Sequence, residues 1–294
     1  MRSKLLITAL SAILLLSSVA VYVPPTAGAA PTASGPIYIE GDPDLVAQAA
    51  ANGWPGSGTE ADPYVIAGLS FTGNDWAMLI TLVNLHLVIR DCTFDGYYAA
   101  LQISATTNVT VTNNTIIGGY EAIIVHNTDG GNEISENTVD GASIGIFLRN
   151  ACNNTVANNT VVDTSDYGFL VEGSDNNTIQ GNYVMSSWCG IGLAFSDNNS
   201  IDTNTITEVD TGIFLAYLGY DNVISGNHIE YTDEDMGGIV AADTPNKNII
   251  TGNAVKFVGK GSGADSTVII VAATIVIVVI LAAALVVYRT KKSA

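Results

Sequence analysis

Basic residues are scarce in this sequence, and most of its length has almost none. The 294 residues include ten Lys and Arg against 28 Asp and Glu. All 28 acidic residues lie between positions 30 and 266, where only five basic residues occur, so this part carries a net charge of −23. A surface of that sign repels nucleic acid and other polyanions, and we expect no nucleic-acid partner.

Helical periodicity is missing from residues 64–259, and so is a Leu-rich repeat pattern. Short segments in which every second residue is apolar alternate there with Asn and Gly, which is typical of short β-strands separated by turns. The segments recur every 22 or 23 residues, with a longer final step of 26. A fixed period with one residue class at each position indicates a solenoid.

Four positions of the repeat keep one residue class, and we call each set of equivalent residues a column. The first apolar column is Ile66, Ile89, Val111, Ile134, Val156, Ile179, Ile201, Ile224 and Ile250. The second apolar column is Phe71, Phe94, Ile116, Val139, Val161, Val184, Ile206, Ile229 and Val255. The small column is Ala77, Ala100, Ala122, Gly145, Gly168, Gly190, Gly212 and Gly238. The Asn column is Asn114, Asn137, Asn159, Asn182, Asn204, Asn227 and Asn253.

These columns predict an all-β fold, a right-handed parallel β-helix of about nine rungs, where a rung is one turn of the solenoid. Asn accepts the left-handed backbone that a sharp turn requires, and stacked Asn side chains bond along a solenoid. We therefore interpret the Asn column as a structural ladder and not as a set of catalytic groups.

The repeats "NNTVANNTV", "NNTIQGNYV" and "NVISGNHI", with "NGWPGSGTEADPYVI" at 52–66, resemble the NosD-type β-helix repeat proteins. The resemblance covers residues 36–259 and implies a parallel β-helix fold. That group includes periplasmic proteins labelled copper-binding and many prokaryotic surface proteins, and the wider class includes carbohydrate-binding proteins and sugar hydrolases. The shared residues are those that build rungs, so the resemblance specifies fold more than function.

Long apolar runs occur only at the two ends of the chain. Residues 1–29 have a basic start, an apolar core and small residues at 27–29, which predicts a secretory signal peptide. An uncleaved anchor is the alternative. At the other end, a linker at 260–266 precedes residues 267–288, a charge-free run long enough to span a bilayer. The basic tail at 289–294 predicts a single-pass cell-membrane protein with a cytoplasmic tail and an external solenoid.

Residues 30–63 are predicted to cap the first rung, because an open solenoid end exposes core and unpaired strand edge. A strand is expected at 36–39. Asp42 and Pro43 fit the N-cap and first position of a helix, which Gly53 would end.

Cysteine and histidine, three of each, do not cluster in the repeat. Cys92, Cys152 and Cys189 lie in different rungs and columns, so no disulfide is predicted. His126 and His228 are five rungs apart, about 24 Å, which excludes a shared copper site. The copper label of the NosD group is therefore not carried over to any residue, and no cofactor is predicted except, as an alternative, calcium.

Acidic residues supply the candidates for chemistry. Neighbouring carboxylates, which a glycosidase requires, are Asp140 with Asp163 and Glu208 with Glu230. The lengthened last repeat carries Asp233, Glu234 and Asp235, oxygen ligands that suit Ca²⁺, although we prefer to interpret them as a solvated loop. Arg149 and Glu172 are expected to form a surface ion pair. With this many acids, chance neighbours are certain, and we do not predict enzyme activity from them.

Strand alternation places a stripe of apolar side chains on the outward face of the strand that follows the small column. Its members are Leu79, Gln102, Ile124, Phe147, Leu170, Gly192, Phe214 and Val240. Tyr98, Tyr167 and Trp188 lie where this strand begins. An exposed apolar stripe marks a contact surface, and aromatic faces bind sugar rings. We therefore predict binding by Ile124, Phe147, Leu170, Phe214, Tyr167 and Trp188.

The functional hypothesis from sequence is a membrane-anchored cell-surface module that binds glycan or other envelope proteins. A polysaccharide-acting hydrolase or lyase is the first alternative, and a NosD-like metal-insertion accessory protein is the second. Six Asn-x-Ser/Thr motifs are candidate glycosylation sites at rung turns. They are Asn108, Asn113, Asn153, Asn158, Asn176 and Asn198.

Overall fold

The structure is a computed structural model that describes residues 32–217, 219–242 and 247–259. The predicted signal peptide, linker, membrane span and tail all lie outside the described residues. Within the described residues, no helix has the length and apolarity that a bilayer crossing requires.

One helix and 26 strands follow one another in the described part of the chain. In order they are β1 Thr32–Ala33, β2 Ile37–Glu40, α1 Gly41–Asn52, β3 Tyr64–Ala67, β4 Leu69–Thr72, β5 Trp76–Thr81, β6 Leu87–Arg90, β7 Thr93–Asp95, β8 Ala99–Ser104, β9 Val109–Thr112, β10 Thr115–Ile117, β11 Glu121–Thr128, β12 Glu133–Ser135, β13 Thr138–Asp140, β14 Ile144–Ala151, β15 Thr155–Ala157, β16 Thr160–Glu172, β17 Thr178–Gln180, β18 Tyr183–Ala194, β19 Ser200–Asp202, β20 Thr205–Val209, β21 Thr211–Ala216, β22 Val223–Ser225, β23 His228–Tyr231, β24 Ile239–Ala241, β25 Ile249–Thr251 and β26 Ala254–Phe257.

The strands form a parallel β-solenoid, as the sequence predicts. A nine-stranded sheet stacks β3, β6, β9, β12, β15, β17, β19, β22 and β25. These nine strands delimit about eight complete turns. A 17-stranded sheet contains two further rows, which merge because β16 and β18 run through both. Row one runs through β1, β4, β7, β10, β13, β16, β18, β20, β23 and β26. Row two runs through β5, β8, β11, β14, β16, β18, β21 and β24.

The core is filled by the columns that the period defines. In the first apolar column Ile66 pairs in register with Ile89, and in the second Phe71 pairs with Phe94, their rings stacked 4.8 Å apart. Every member of both columns up to Ile224 and Ile229 is buried. The small column lies where the chain bends from row one into row two. There a Cβ on Gly168 would meet Val184 Cγ1 at 2.5 Å, so the core leaves no room for a larger residue.

The Asn column forms a hydrogen-bonded ladder that is buried from Asn114 to Asn227, and its structural role stays a prediction. Each Asn Oδ1 accepts hydrogen bonds from the backbone N–H and the side-chain Nδ2 of the preceding ladder residue, as Asn182 does from Asn159 at 2.8 and 3.0 Å. Cys92 takes the place of Asn at the start and donates its N–H to Asn114 Oδ1. A second buried ladder, which sequence reasoning missed, runs along another corner with the same bonding. Its members are Asn132, Asn154, Asn177, Asn199, Asn222 and Asn248.

The N-terminal segment caps the first rung. Strand β2 extends row two by pairing with β5, and α1 then packs on β2 and buries Leu45 and Ala49. Gly53 ends the helix in the left-handed conformation, as predicted. The predicted N-cap was wrong, because Glu40 holds that position. Asp42 instead accepts the backbone N–H groups of Asn84 and Leu85 at 2.7 and 3.0 Å, so its carboxylate joins the cap to the solenoid.

Candidate functional site

The outward face of row two departs most from the repeat, and we call it the row-two face. Three columns of outward residues cross it. The first contains Trp76, Ala99, Glu121, Ile144, Tyr167, Cys189 and Thr211. The second is the predicted stripe, in which Ile124, Phe147, Leu170, Gly192 and Phe214 are in register. The third contains Ser104, His126, Arg149, Glu172 and Ala194.

The predicted register of the stripe is confirmed, but its predicted exposure is wrong at two positions. Ile124 and Phe147 lie outside the core cluster, yet each is only 5% exposed. Leu170 and Phe214 are half-buried. Side chains of the flanking columns shield the stripe, since Ile144 is buried in the first column and the Tyr167 ring lies over Gly192. The stripe is therefore the floor of the row-two face and not an open patch.

Three ionisable groups stand around this floor: Arg149 and His126, which were considered from the sequence, and Glu121, which was not. His126 and Arg149 are neighbours in register on β11 and β14, and Glu121 begins β11. Burial raises the pKa of Glu121, and the charge of Arg149 partly opposes this rise. Burial and Arg149 together lower the pKa of His126, which favours the neutral imidazole. Arg149 thus acts on both groups from one position.

The predicted ion pair between Arg149 and Glu172 is not found among the salt bridges of the described residues. The two residues are in register on β14 and β16, as expected. Register brings the two backbones together, but it does not fix the direction of a long side chain. The Arg149 charge acts instead on Glu121 and His126.

Aromatic side chains line the edge of the row-two face where its strands begin. Tyr98 and Tyr120 are exposed and stack at 5.2 Å between centroids. Three rungs beyond Tyr120, Trp188 contacts the half-buried Tyr167 edge-on at 5.4 Å. Sequence reasoning found three of these residues and missed Tyr120. Its position directly before Glu121, equivalent to Tyr98 before Ala99, was the available signal.

The first outward column ends in groups that are closed to solvent. Burial raises the pKa of the Cys189 thiol to about 12, so the thiol stays protonated. Its neighbour in register, Thr211, is buried, and its Oγ1 has no hydrogen-bond partner within the described part of the chain. Neither group is accessible to a ligand on the row-two face.

The paired carboxylates expected from sequence are not paired. Asp140 lies on β13 in register with Val162, whereas Asp163 follows one residue later in a left-handed corner. Glu208 occupies the same corner two rungs on and accepts a hydrogen bond from Ser186. Glu230 is instead 3.0 Å from the Lys256 ammonium. An offset of one residue moves a side chain out of its column, and the repeat pattern does not reveal this offset.

The three acids of the lengthened repeat do not converge into a cation site. Asp233 uses its Oδ1 to accept the backbone N–H of Asp235 at 3.1 Å, and Glu234 is exposed between them. Throughout the described ranges, no three His, Cys, Asp or Glu side chains come together as a group that could hold a metal ion.

The candidate glycosylation asparagines share one geometry. All six adopt left-handed backbone with φ between 54° and 60°. Asn108 is half-buried and the other five are exposed, while the next residue of the chain is usually a buried ladder Asn. The motif therefore recurs because a turn residue, a ladder residue and a strand Thr follow one another in each rung. Glycosylation at these positions stays a prediction.

Taken together, the stacked columns, the two ladders and the N-terminal cap define a parallel β-solenoid repeat protein with one chemically distinct face. The family described as periplasmic copper-binding protein (NosD) matches residues 80–259, and the chain belongs to this family. No curated protein matches this chain.

Solved structures with the same architecture include the periplasmic alginate epimerase AlgG, at 17% identity and a TM-score of 0.50 over 66% of this chain. The chain spans 59% of the length of that protein. DFA-IIIase from Arthrobacter chlorophenolicus A6, in complex with GF2, is 16% identical, with a TM-score of 0.49, over 69% of this chain and 63% of its own. At these identities the likeness shows the fold alone.

The residues that the structure describes do not fit the copper that the family description names. Copper requires clustered imidazole, thiolate or thioether ligands. His126 has Ser104 and Arg149 as its neighbours in register, and His228 has Thr205 and Ala254. Cys92 and Cys189 are buried with raised thiol pKa values, which disfavours the thiolate that binds metal. We therefore derive no function from copper.

Proposed function

We propose that the chain is a cell-surface glycan-binding module and that the row-two face binds the sugar. The observation that carries this proposal is the combination of exposed aromatic rings with three ionisable groups on one face. The equivalent outward positions of row one are occupied mainly by threonine, at Thr93, Thr115, Thr138, Thr160 and Thr205. That column of row one therefore repeats one residue class, whereas the first outward column of row two does not.

The aromatic edge fits a carbohydrate chain that runs along the solenoid axis. Aromatic faces pack against the apolar faces of sugar rings, and the hydroxyl and indole N–H remain free for hydrogen bonds. Strands stack at about 4.8 Å, so Tyr98 and Trp188, four rungs apart, are about 19 Å from each other. That length suits an oligosaccharide and exceeds a single sugar.

Glu121, His126 and Arg149 supply directional contacts beside the rings. A neutral imidazole both donates and accepts hydrogen bonds, which matches the hydroxyl groups of a sugar. The guanidinium donates only, and the carboxylate accepts unless it is protonated. This mixture recognises neutral or weakly acidic glycans, while the net charge of the chain opposes strongly anionic polymers.

The cell-surface part of the proposal rests on the sequence. In this proposal the solenoid lies outside the cell after signal-peptide cleavage. Residues 267–288 anchor the solenoid in the membrane, and residues 289–294 lie in the cytoplasm. Protease added to intact cells with a permeable wall should remove the solenoid and leave a fragment that contains the tail. Protection of the solenoid would contradict this orientation.

Binding is tested by a glycan array, followed by titration of the bound sugars against variants of the full chain. Trp188→Ala should weaken binding by about 1–3 kcal/mol, because an aromatic contact surface is removed. Tyr217→Asn is the control, since Tyr217 is also an exposed aromatic residue but stacks with Phe195 beyond the far end of the row-two strands. Asn tolerates the left-handed backbone at this position. Equal affinity of both variants, or no glycan bound, would contradict the proposal.

A second candidate function, a polysaccharide-acting enzyme, is favoured by one observation. The raised pKa of Glu121 favours a protonated carboxyl, which is what a general acid requires. Glu121→Gln should then abolish turnover of a bound oligosaccharide while its affinity stays within a few fold. If no product forms from any bound sugar, the chain binds glycan without transforming it.

A further inference from the structure

The two ends of the solenoid differ in how their core is covered. At the N-terminal end, α1 packs on the first rung and the core residues Ile66 and Phe71 are fully buried. At the other end, Ile250 and Val255 occupy the same two columns but are each 46% exposed. Within the described chain, β25 is a sheet edge that pairs only with β22, and β26 pairs only with β23.

This open end presents apolar side chains and free strand edges together. Ile249 and Phe257 are also exposed, so four large apolar residues of the last rung, with Ile250 and Val255, are accessible to solvent. The same columns one rung earlier, at Ile224 and Ile229, are fully buried. Exposed core of this kind requires an occupant, since both apolar surface and unpaired backbone favour contact.

The charge of the last rung is opposite to that of the rest of the solenoid. Residues 247–259 contain Lys247 and Lys256 and no acidic residue, whereas residues 32–242 contain 26 acidic residues and only two arginines. Both lysines are exposed. Lys256 is 3.0 Å from Glu230, and Lys247 lies 5.9 Å from the centre of the Tyr220 ring. Apolar side chains with lysines at their edge match the interface of an anionic bilayer.

The position of this end along the chain points to the same occupant. Seven residues, 260–266, separate it from the charge-free run at 267–288. Seven residues span at most about 25 Å. If the run crosses the membrane, as proposed above, the linker holds the open end within reach of the lipid surface.

We propose that the C-terminal end of the solenoid is a membrane-contact surface, in which the exposed apolar residues of the last rung meet the lipid and Lys247 and Lys256 meet anionic headgroups. The inference rests on the proposed membrane anchor. In this arrangement the solenoid axis is perpendicular to the plane of the membrane. The row-two face is then directed parallel to the cell surface.

The test reconstitutes the full chain into vesicles of phosphatidylcholine with phosphatidylglycerol and measures quenching by brominated lipid. A fluorophore is attached at Thr251→Cys, beside the apolar cluster, and the matched control carries it at Asn52→Cys, at the opposite end. Both are made with Cys152→Ser, because the other two thiols are buried. We expect quenching at position 251 and none at 52, with weaker quenching at 251 in Lys247→Gln/Lys256→Gln or without phosphatidylglycerol.

Failure of the anchor and failure of the contact give different results. A chain that does not float with the vesicles contradicts the membrane anchor. The proposed membrane contact, which rests on the anchor, is then refuted as well. A chain that floats but shows unquenched fluorophore at position 251 contradicts the contact alone. Disulfide cross-linking between two copies through Cys introduced at 251, without lipid quenching, would overturn the proposal in favour of a second copy as the occupant.

Discussion

Substitution of Asn159 by Ala tests the ladder at its centre. Asn159 is buried, and its Oδ1 accepts both the backbone N–H and the side-chain Nδ2 of Asn137 at 3.0 Å. Its Nδ2 donates to the Ile134 carbonyl at 2.8 Å and to Asn182 Oδ1 at 3.0 Å. One side chain therefore joins three successive rungs, and alanine removes all of these bonds together.

The magnitude follows from the groups that are left without a partner. The Asn137 backbone N–H loses its acceptor, and the Ile134 carbonyl loses a donor. Asn182 Oδ1 keeps its bond from the Asn159 backbone N–H, and Asn137 Nδ2 keeps the Val111 carbonyl. Because each buried polar group without a partner costs about 1–3 kcal/mol, the two groups together predict a destabilisation of about 2–6 kcal/mol.

The adjacent residue provides the matched control. Asn158 is exposed with φ of 57°, a conformation that glycine adopts freely, so Asn158→Gly should change stability by less than about 0.5 kcal/mol. Urea denaturation compares the two variants, and amide exchange at Asn137 reports opening near the substitution, since a solenoid can unfold in parts. Equal midpoints for Asn159→Ala and Asn158→Gly would refute a structural ladder, as would unchanged exchange at Asn137.

Two further predictions concern charge and packing. Arg149→Gln should raise the pKa of His126 towards its ordinary value of 6.5, because a positive neighbour is removed. An NMR titration of the His126 imidazole measures this pKa, and an unchanged value would exclude the coupling between the two residues. Gly168→Ala should destabilise the fold by about 1–3 kcal/mol or more, because the new Cβ would lie 2.7 Å from the Gly190 carbonyl oxygen. Urea denaturation measures this loss. Gly35→Ala is the control, because no atom lies within 4 Å of the Cβ position there.

The fold was predictable because the same physical requirement recurs in every rung. A residue that faces the core at one rung has an equivalent neighbour about 4.8 Å away at the next, so the column repeats its residue class. Ile134 and Val156 illustrate this, since they pair in register and are both fully buried. The bend at Gly145 likewise excludes a side chain, and the sequence shows this as a small residue in each copy.

Two features were not predictable from the same pattern. The second ladder is hidden because its members follow turn asparagines, so that Asn153 and Asn154 read as one motif although the first is exposed and the second buried. The burial of Ile124 and Phe147 depends on neighbours from other columns and rungs. Alternation along a strand gives the direction of a side chain, but coverage depends on how long the flanking side chains are.

The contrast between columns indicates where function is encoded in a solenoid. Columns that face the core or a ladder are restricted to one residue class, because each rung must match the next. The first outward column of row two obeys no such restriction, and reads Glu121, Ile144, Tyr167, Cys189 and Thr211 on successive rungs. Variation at fixed backbone geometry is what a rigid scaffold offers to a binding site. A search for ligand contacts therefore belongs at the accessible members of this column, Glu121 and Tyr167, because Ile144, Cys189 and Thr211 are buried.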